Sequence, residues 1–271
     1  MEPVFSLAHL TVLDLPPPEV IRVAAGTGCR AAGLRLLPVA PGAAAYPLQD
    51  DPQAMRDTLA RVADTGVAIA DLKVVMLRPE TTLAPFLPFL EAGARLGAKH
   101  VLVAGYDPDE ARLTASFAAF CEAAAPFGLT ADLEFMPWTA VPDLAAALRV
   151  VRGAGQPNGG ILVDALHFDR SGSRVADIAA VPRSWLHYWQ LCDAPAERPA
   201  TTEGLLHTAR AERLFPGEGG IDLPPLVRAM PADITVSLEI PTLELARTVG
   251  PEERVRRAVA AARRVIERAR G

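Results

Sequence analysis

The sequence predicts an α/β protein folded as a single (β/α)8 barrel, and three observations point there. Short apolar runs alternate with helix-like segments eight times along the chain, the pattern of a parallel sheet wound with helices. The 271 residues match the roughly 250 that such a barrel takes. Four successive runs, ADLEFMPW, GGILVDALHF, LHYWQLCDA and ITVSLEIP, carry a carboxylate or an amide near their ends, at Glu134, Asp164, Gln190 and Glu239.

Taken in order, the strands are expected at roughly 4–9, 32–37, 68–76, 101–106, 131–136, 160–166, 186–192 and 234–240. Helices are expected near 17–27, 51–65, 83–97, 109–126, 143–153, 174–180, 222–230 and 251–270. Asp50 and Asp51 precede the second helix and Gly66 follows it. Thr81 or Thr82 opens the third and Gly97 ends it, and Gly128 ends the fourth. No break in composition divides the chain, so residues 1–271 read as one domain. The irregular part is 193–221, far longer than the roughly 2–6 residues of an ordinary connection. It follows the Gln190 strand, which would place it over the active-site face as a lid or binding loop.

Composition excludes several classes. Half of the residues are apolar and 22% are charged, enough for a large core. A net charge of −5 with dispersed basic residues argues against a nucleic-acid surface. The last helix, PEERVRRAVAAARRVIERAR, mixes both signs and reads as a solvated face. Cys29, Cys121 and Cys192 are odd in number and have no CxxC spacing, which argues against disulfides or a thiolate zinc site. Neither a leader peptide nor a long apolar span is evident, so a cytoplasmic protein is expected.

The four strand-end residues share one face. Strand side chains alternate, and inward positions should be polar where outward ones meet helices. Leu133 and Phe135 flank Glu134, Val163 and Ala165 flank Asp164, Trp189 and Leu191 flank Gln190, and Leu238 and Ile240 flank Glu239. All four therefore point inward. Barrels keep their active sites at the carboxyl ends of the strands. Three carboxylates and an amide oxygen converging there form a hard site for one divalent cation.

The motifs LEFMPW, LVDALHF with its Asp-x-x-His, WQLCDA, PGEG followed by IDL, and SLEIP resemble the xylose isomerase-like TIM barrel superfamily. More narrowly they look like its sugar phosphate isomerase/epimerase group, with inositol-catabolic isomerases and dehydratases and bacterial 3-dehydroshikimate dehydratases nearby. The resemblance implies that Glu134, Asp164, Gln190 and Glu239 hold one metal ion. Many relatives place His where this chain has Gln190, and the dehydroshikimate dehydratases look similar in using Gln. An amide oxygen is the harder ligand, which favours Mn²⁺, Mg²⁺ or Co²⁺ over Zn²⁺. His167 matches the Asp-x-x-His and is expected at the edge of the site. Asp193 is expected to orient the ligands or the lid. The superfamily's AP endonuclease branch, with its richer histidine set, is not matched.

Substrate contacts are expected from His9, after the first strand, and from Arg35 and Arg198. Lys73, Arg78 and Arg210 are further fixed cations. His100, His187 and His207 read as outer-face or loop residues. No Gly-rich phosphate cradle is present. The expected activity is a metal-dependent isomerisation or epimerisation of a small keto sugar or polyol through an enediolate, with Glu134 and Glu239 exchanging the proton. The alternatives are dehydration of a cyclic keto acid or keto-inositol, with His167 as acid to the leaving hydroxyl, or a ligand-binding barrel without turnover. The expected partners are the small polyol or keto substrate, with no nucleic acid and no membrane. A homodimer or homotetramer is left open as the assembly.

Overall fold

A computed structural model describes residues 2–271. Eight strands form one closed barrel, each hydrogen-bonded in parallel to its neighbours in chain order, and the eighth closes on the first. They are β1 Phe5–Leu7, β2 Ala31–Arg35, β3 Ala68–Leu77, β4 His100–Gly105, β5 Thr130–Glu134, β6 Gly159–Asp164, β7 Tyr188–Leu191 and β8 Thr235–Leu238. The expected (β/α)8 barrel is thus observed.

The helices are α1 Pro17–Thr27, α2 Pro52–Thr65, α3 Leu87–Leu96, α4 Glu110–Ala124, α5 Leu144–Ala154, α6 Ala165–Arg170, α7 Thr202–Arg210, α8 Leu223–Ala229, α9 Leu243–Ala246 and α10 Pro251–Arg270. Asp51, Asp109 and Asp143 accept backbone N–H bonds at the starts of α2, α4 and α5, which satisfies donors the helix leaves free. Gly66 and Gly97 close α2 and α3 in the left-handed conformation, where a side chain would be strained.

Three expectations shift. The third helix begins at Leu87 because the Thr81 hydroxyl accepts the Arg78 N–H within a turn and caps no helix. The sixth unit turns helical directly after its strand, since Asp164 Oδ1 accepts the Leu166 and His167 N–H groups; 175–180 is a 3₁₀ turn. The 193–221 stretch contains helix α7, capped by the Thr201 hydroxyl.

The apolar core lies between the sheet and the helices. Leu133, Ile161, Val163, Trp189 and Val236 on the sheet's outer face belong to one buried cluster with Phe117, Phe120, Val150 and Leu226 of the helices. Each such side chain stabilises the fold by about 1.5–3 kcal/mol on burial. Inside the barrel the apolar part is small, comprising Leu102, Leu162 and Tyr188 with Val74 against them. Much of the remaining interior is polar: Ser6, Asp71, Lys73, Asp132, Glu134, Asp164, Gln190 and Ser237 are all buried. A layer of charged groups is thus enclosed by an apolar outer shell. No helix among the described residues is long and apolar enough to cross a membrane.

Candidate active site

Glu134 and Asp164 are the last residues of β5 and β6, Gln190 lies one residue from the end of β7, and Glu239 follows β8. The parallel registers pair Glu134 with Leu162, Asp164 with Gln190 and Gln190 with Ser237, and Glu239 lies two residues beyond Ser237. Above them opens a cavity lined by Glu134, Glu239, His167, Trp138, Arg35 and Arg213, with Met136, Tyr106 and Arg210 also on its wall.

The carboxylates are not alone there. Arg213 donates from Nη1 to Asp164 Oδ2 at 2.6 Å and from Nη2 to Glu239 Oε2 at 3.1 Å, bridging two of the four expected ligands. Lys73 Nζ donates to Glu239 Oε1 at 2.8 Å and lies 3.4 Å from Asp71 Oδ2. Gln190 Nε2 also donates to Glu239 Oε1, at 3.1 Å. Both cationic side chains are essentially fully buried. Gly33 makes this possible from β2, because a Cβ there would stand 2.5 Å from Asp71 Oδ1.

The two glutamates are consequently unlike. Burial disfavours the Glu239 charge, but Lys73 and Arg213 outweigh it and hold its carboxyl at about 2. Burial, with the negative charges of Glu239 and Asp164, pushes Glu134 well above the usual carboxylate range. Glu134 Oε1 and Gln190 Oε1 are buried acceptors without a hydrogen-bond partner. His167 Nε2 lies 3.9 Å from Glu134 Oε1, and its ring meets Trp138 edge-on at 5.1 Å. Burial lowers His167 to about 4, so its imidazole is neutral near pH 7.

Other expected contacts fall elsewhere. His9 is buried beneath the strand ends with both ring nitrogens bound to backbone: Nδ1 accepts the Arg35 N–H and Nε2 donates to the Leu15 carbonyl. It braces β2 and does not line the cavity. Arg35 does line it, with Nε unpartnered. Arg198 points away, 54% exposed and 3.3 Å from Asp169, so a substrate contact from it does not hold in this geometry. Asp193 accepts N–H bonds from Ala194, Gly217, Gly219 and Ile221 and so fastens the loop rather than the ligands. His187 lies in the connection before β7, as a loop residue, but His100 is not on the outer face, and both reach the buried Asp132. His207 is exposed on α7, as expected.

Arg213 escaped the sequence reading. Its one local signal was the apolar pair Leu214–Phe215 following it, inside a stretch otherwise polar enough to read as loop. The backbone bridge between Asp193 and Leu214 lays this segment beside the end of β7 and carries the guanidinium inward.

The donor set suits a divalent cation. Glu134, Asp164 and His167 each bring a ligand atom within 4.8 Å of the others, and the unpartnered Glu134 and Gln190 oxygens lack a positive partner. Asp164 and Glu239 have their oxygens engaged by Arg213, Lys73, Gln190 and backbone, so in this arrangement they are held by cations of the chain itself.

Residues 21–265 match the family model described as xylose isomerase-like TIM barrel, and the chain belongs to that family. Solved structures of similar fold include the IolI protein with a bound zinc atom, 19% identical over 98% of this chain and 99% of that one, with a TM-score of 0.80. The probable 3-DHS dehydratase AsbF from Bacillus anthracis is 15% identical, covering 96% of this chain and 98% of its own, with a TM-score of 0.71. D-allulose 3-epimerase from Methylomonas sp., in complex with D-allulose, is 14% identical over 97% and 96%, with a TM-score of 0.68. None of the curated protein sequences compared matches this chain.

Proposed function

We propose that the chain is a divalent-metal-dependent isomerase or epimerase of a small keto sugar or polyol. The observation that carries this reading is the division of labour between Glu134 and Glu239 in one cavity. Glu239 has both oxygens hydrogen-bonded by Lys73, Gln190 and Arg213, and remains a fixed anion. Glu134 keeps Oε1 free and faces the cavity, so it is the group able to take a proton from a substrate carbon and return it.

Glu134 and Gln190, whose Oε1 atoms are unpartnered, would hold the ion with His167 within reach as a further donor, and Asp164 and Glu239 would complete the set by exchanging their contacts to Arg213 and Lys73 for it. When bound, the metal polarises the substrate carbonyl and so acidifies the adjacent C–H. The chain's own residues do the rest. Arg35 presents its guanidinium to a substrate oxygen, Arg213 fixes the two carboxylates it bridges, and Trp138 with Met136 walls off water. Return of the proton by Glu134 to the neighbouring carbon gives isomerisation, whereas epimerisation requires a second group to deliver a proton to the opposite face of the same carbon.

A second reading is favoured by Arg35 and Arg210, two arginines on the cavity wall that suit a carboxylate-bearing substrate. In that case Glu134 would take the α-proton and pass it to the departing β-hydroxyl, which the neutral His167 N–H would hydrogen-bond, and the reaction is dehydration of a cyclic keto acid. The likenesses to an epimerase and to a dehydratase lend each reading equal support from fold alone.

One experiment separates them. The metal-loaded chain is incubated in deuterated water with panels of keto sugars and keto acids, and products are read by mass spectrometry. Deuterium incorporation without loss of water supports the first reading, and loss of one water supports the second. Glu134→Gln should slow either by about 10²–10⁴-fold while substrate binding persists. Full exchange in Glu134→Gln would remove Glu134 from the proposed role.

A further inference from the structure

A second cluster of titratable groups lies at the opposite, amino-terminal end of the barrel, and none of its members lines the cavity. It comprises His100, the first residue of β4, Asp132 of β5 and His187, just before β7. One ligand atom from each lies within 4.8 Å of the others. His187 Nδ1 stands 2.6 Å from Asp132 Oδ1, and His100 Nδ1 stands 3.8 Å from Asp132 Oδ2. The two imidazoles are stacked nearly parallel, with centroids 5.6 Å apart and an interplanar angle of 8°, so both present Nδ1 to one carboxylate.

Two features show that this is a built arrangement. β6 lies between β5 and β7, and Asp132 can meet His187 across it only because Gly160 has no side chain. A Cβ at Gly160 would stand 2.6 Å from both Asp132 Oδ1 and His187 Nδ1. The surrounding contacts also set the orientation of each donor. Thr130 Oγ1 donates to Asp132 Oδ2 at 2.7 Å and lies 2.8 Å from His100 Nδ1, while Tyr188 stacks on the His100 ring at 5.1 Å. Such partners fix ring and carboxylate orientation in metal centres.

We propose that His100, Asp132 and His187 form a divalent transition-metal site, separate from the catalytic cavity, that ties β4, β5 and β7 together at the amino-terminal rim. Two imidazole nitrogens with one carboxylate oxygen suit Zn²⁺, Co²⁺ or Ni²⁺ rather than the harder Mg²⁺. The 2.6 Å contact is a hydrogen bond in the metal-free form. The ion replaces the shared proton and spreads the donors to bonds of about 2.0–2.2 Å. Asp132 is fully buried, whereas the imidazoles are 17% and 18% exposed, which leaves an approach for the ion and room for water as a fourth ligand. At this end of a barrel the role is structural, since catalytic groups gather at the other face.

The test uses the full chain stripped with chelator and then titrated with Co²⁺ or Zn²⁺ alone. Wild type should bind one equivalent more than His100→Gln, His187→Gln or Gly160→Ala, with a Co²⁺ visible band that those variants lose. The glutamines retain a hydrogen-bond donor for Asp132, which protects the fold. Glu134→Gln combined with Asp164→Asn should leave this equivalent untouched, so failure of the catalytic reading and failure of this one are told apart. Crystals of the wild type soaked in Zn²⁺ give a check free of any variant, with an anomalous peak expected between His187 Nδ1 and His100 Nδ1. Equal metal content and affinity in wild type and all three rim variants, or no peak there, overturns the proposal.

Discussion

Lys73 Nζ and Glu239 Oε1 meet inside the barrel at 2.8 Å although 166 residues separate them in the chain. Neither charge is tolerable there alone, because a buried ion without a partner loses its hydration and gains nothing in return. Burial opposes the lysine's charge, yet Asp71 and Glu239 outweigh it and raise its pKa, so the pair remains ionised. Lys73 therefore holds Glu239 as an anion, and of the three carboxylates in the expected ligand set only Glu134 keeps a buried oxygen without a hydrogen-bond partner.

Lys73→Met should destabilise the chain by about 3–5 kcal/mol, the usual result of breaking one side of a buried pair. Adding Asp71→Asn should restore part of that loss, since Asp71 shares the same cation. Urea unfolding of both variants checks this. A single mutant as stable as wild type would show that the carboxylates do not depend on Lys73.

Arg213 and Arg198 lie on the same 193–221 segment and should behave oppositely. Arg213→Ala leaves Asp164 and Glu239 without their bridge and should lower kcat/KM by about 10²-fold or more, with Arg213→Lys recovering little because a point charge cannot bridge both. Arg198→Ala removes an exposed ion pair and should change stability by under about 0.5 kcal/mol and leave kinetics near wild type. Comparable kinetic losses from both variants would mean that Arg198 turns inward to the substrate.

Asp193→Asn should loosen the loop without unfolding the barrel. The carboxylate accepts four backbone N–H groups, three of them at Gly217, Gly219 and Ile221, and an amide turns one acceptor into a donor facing those donors. Faster limited proteolysis within 211–221, with little change in far-UV circular dichroism, is the expected outcome. An unchanged cleavage pattern would show that the glycine turn holds itself.

The barrel was legible because its outer face follows a simple rule. Leu133, Trp189 and Leu238 alternate with more polar neighbours, and period two is visible in sequence. The same alternation picked out Glu134, Asp164, Gln190 and Glu239, since inward position depends only on parity. Arg213 and Lys73 were harder. Arg213 comes from a loop whose path is set by the Asp193–Leu214 bridge, a contact with no periodic signal. Lys73 was expected only as a cation available to substrate, and its pairing with Glu239, 166 residues along the chain, leaves no signal in the sequence. His9 erred the other way: a histidine after a first strand suggests chemistry, and only the backbone around it shows that both nitrogens are already used.

That burial of His9 gives a pH dependence whose sign can be worked out. Burial pushes its imidazole down to about 4 from an ordinary 6.5, so the folded protein binds its proton less readily than the unfolded chain. Between those values the unfolded state carries more protons at this site, and stability must rise with pH. The contribution is fully present above about 6.5 and is lost as pH falls toward 4, amounting to roughly 3–4 kcal/mol at about 1.4 kcal/mol per pKa unit. His9→Gln keeps a side chain able to donate to the Leu15 carbonyl but does not titrate. Urea unfolding from pH 7 down to 4.5 should therefore show wild type losing more stability than His9→Gln, with the two curves converging as acid is added. Parallel curves across that range would mean that His9 takes up its proton in the folded barrel as easily as in the unfolded chain.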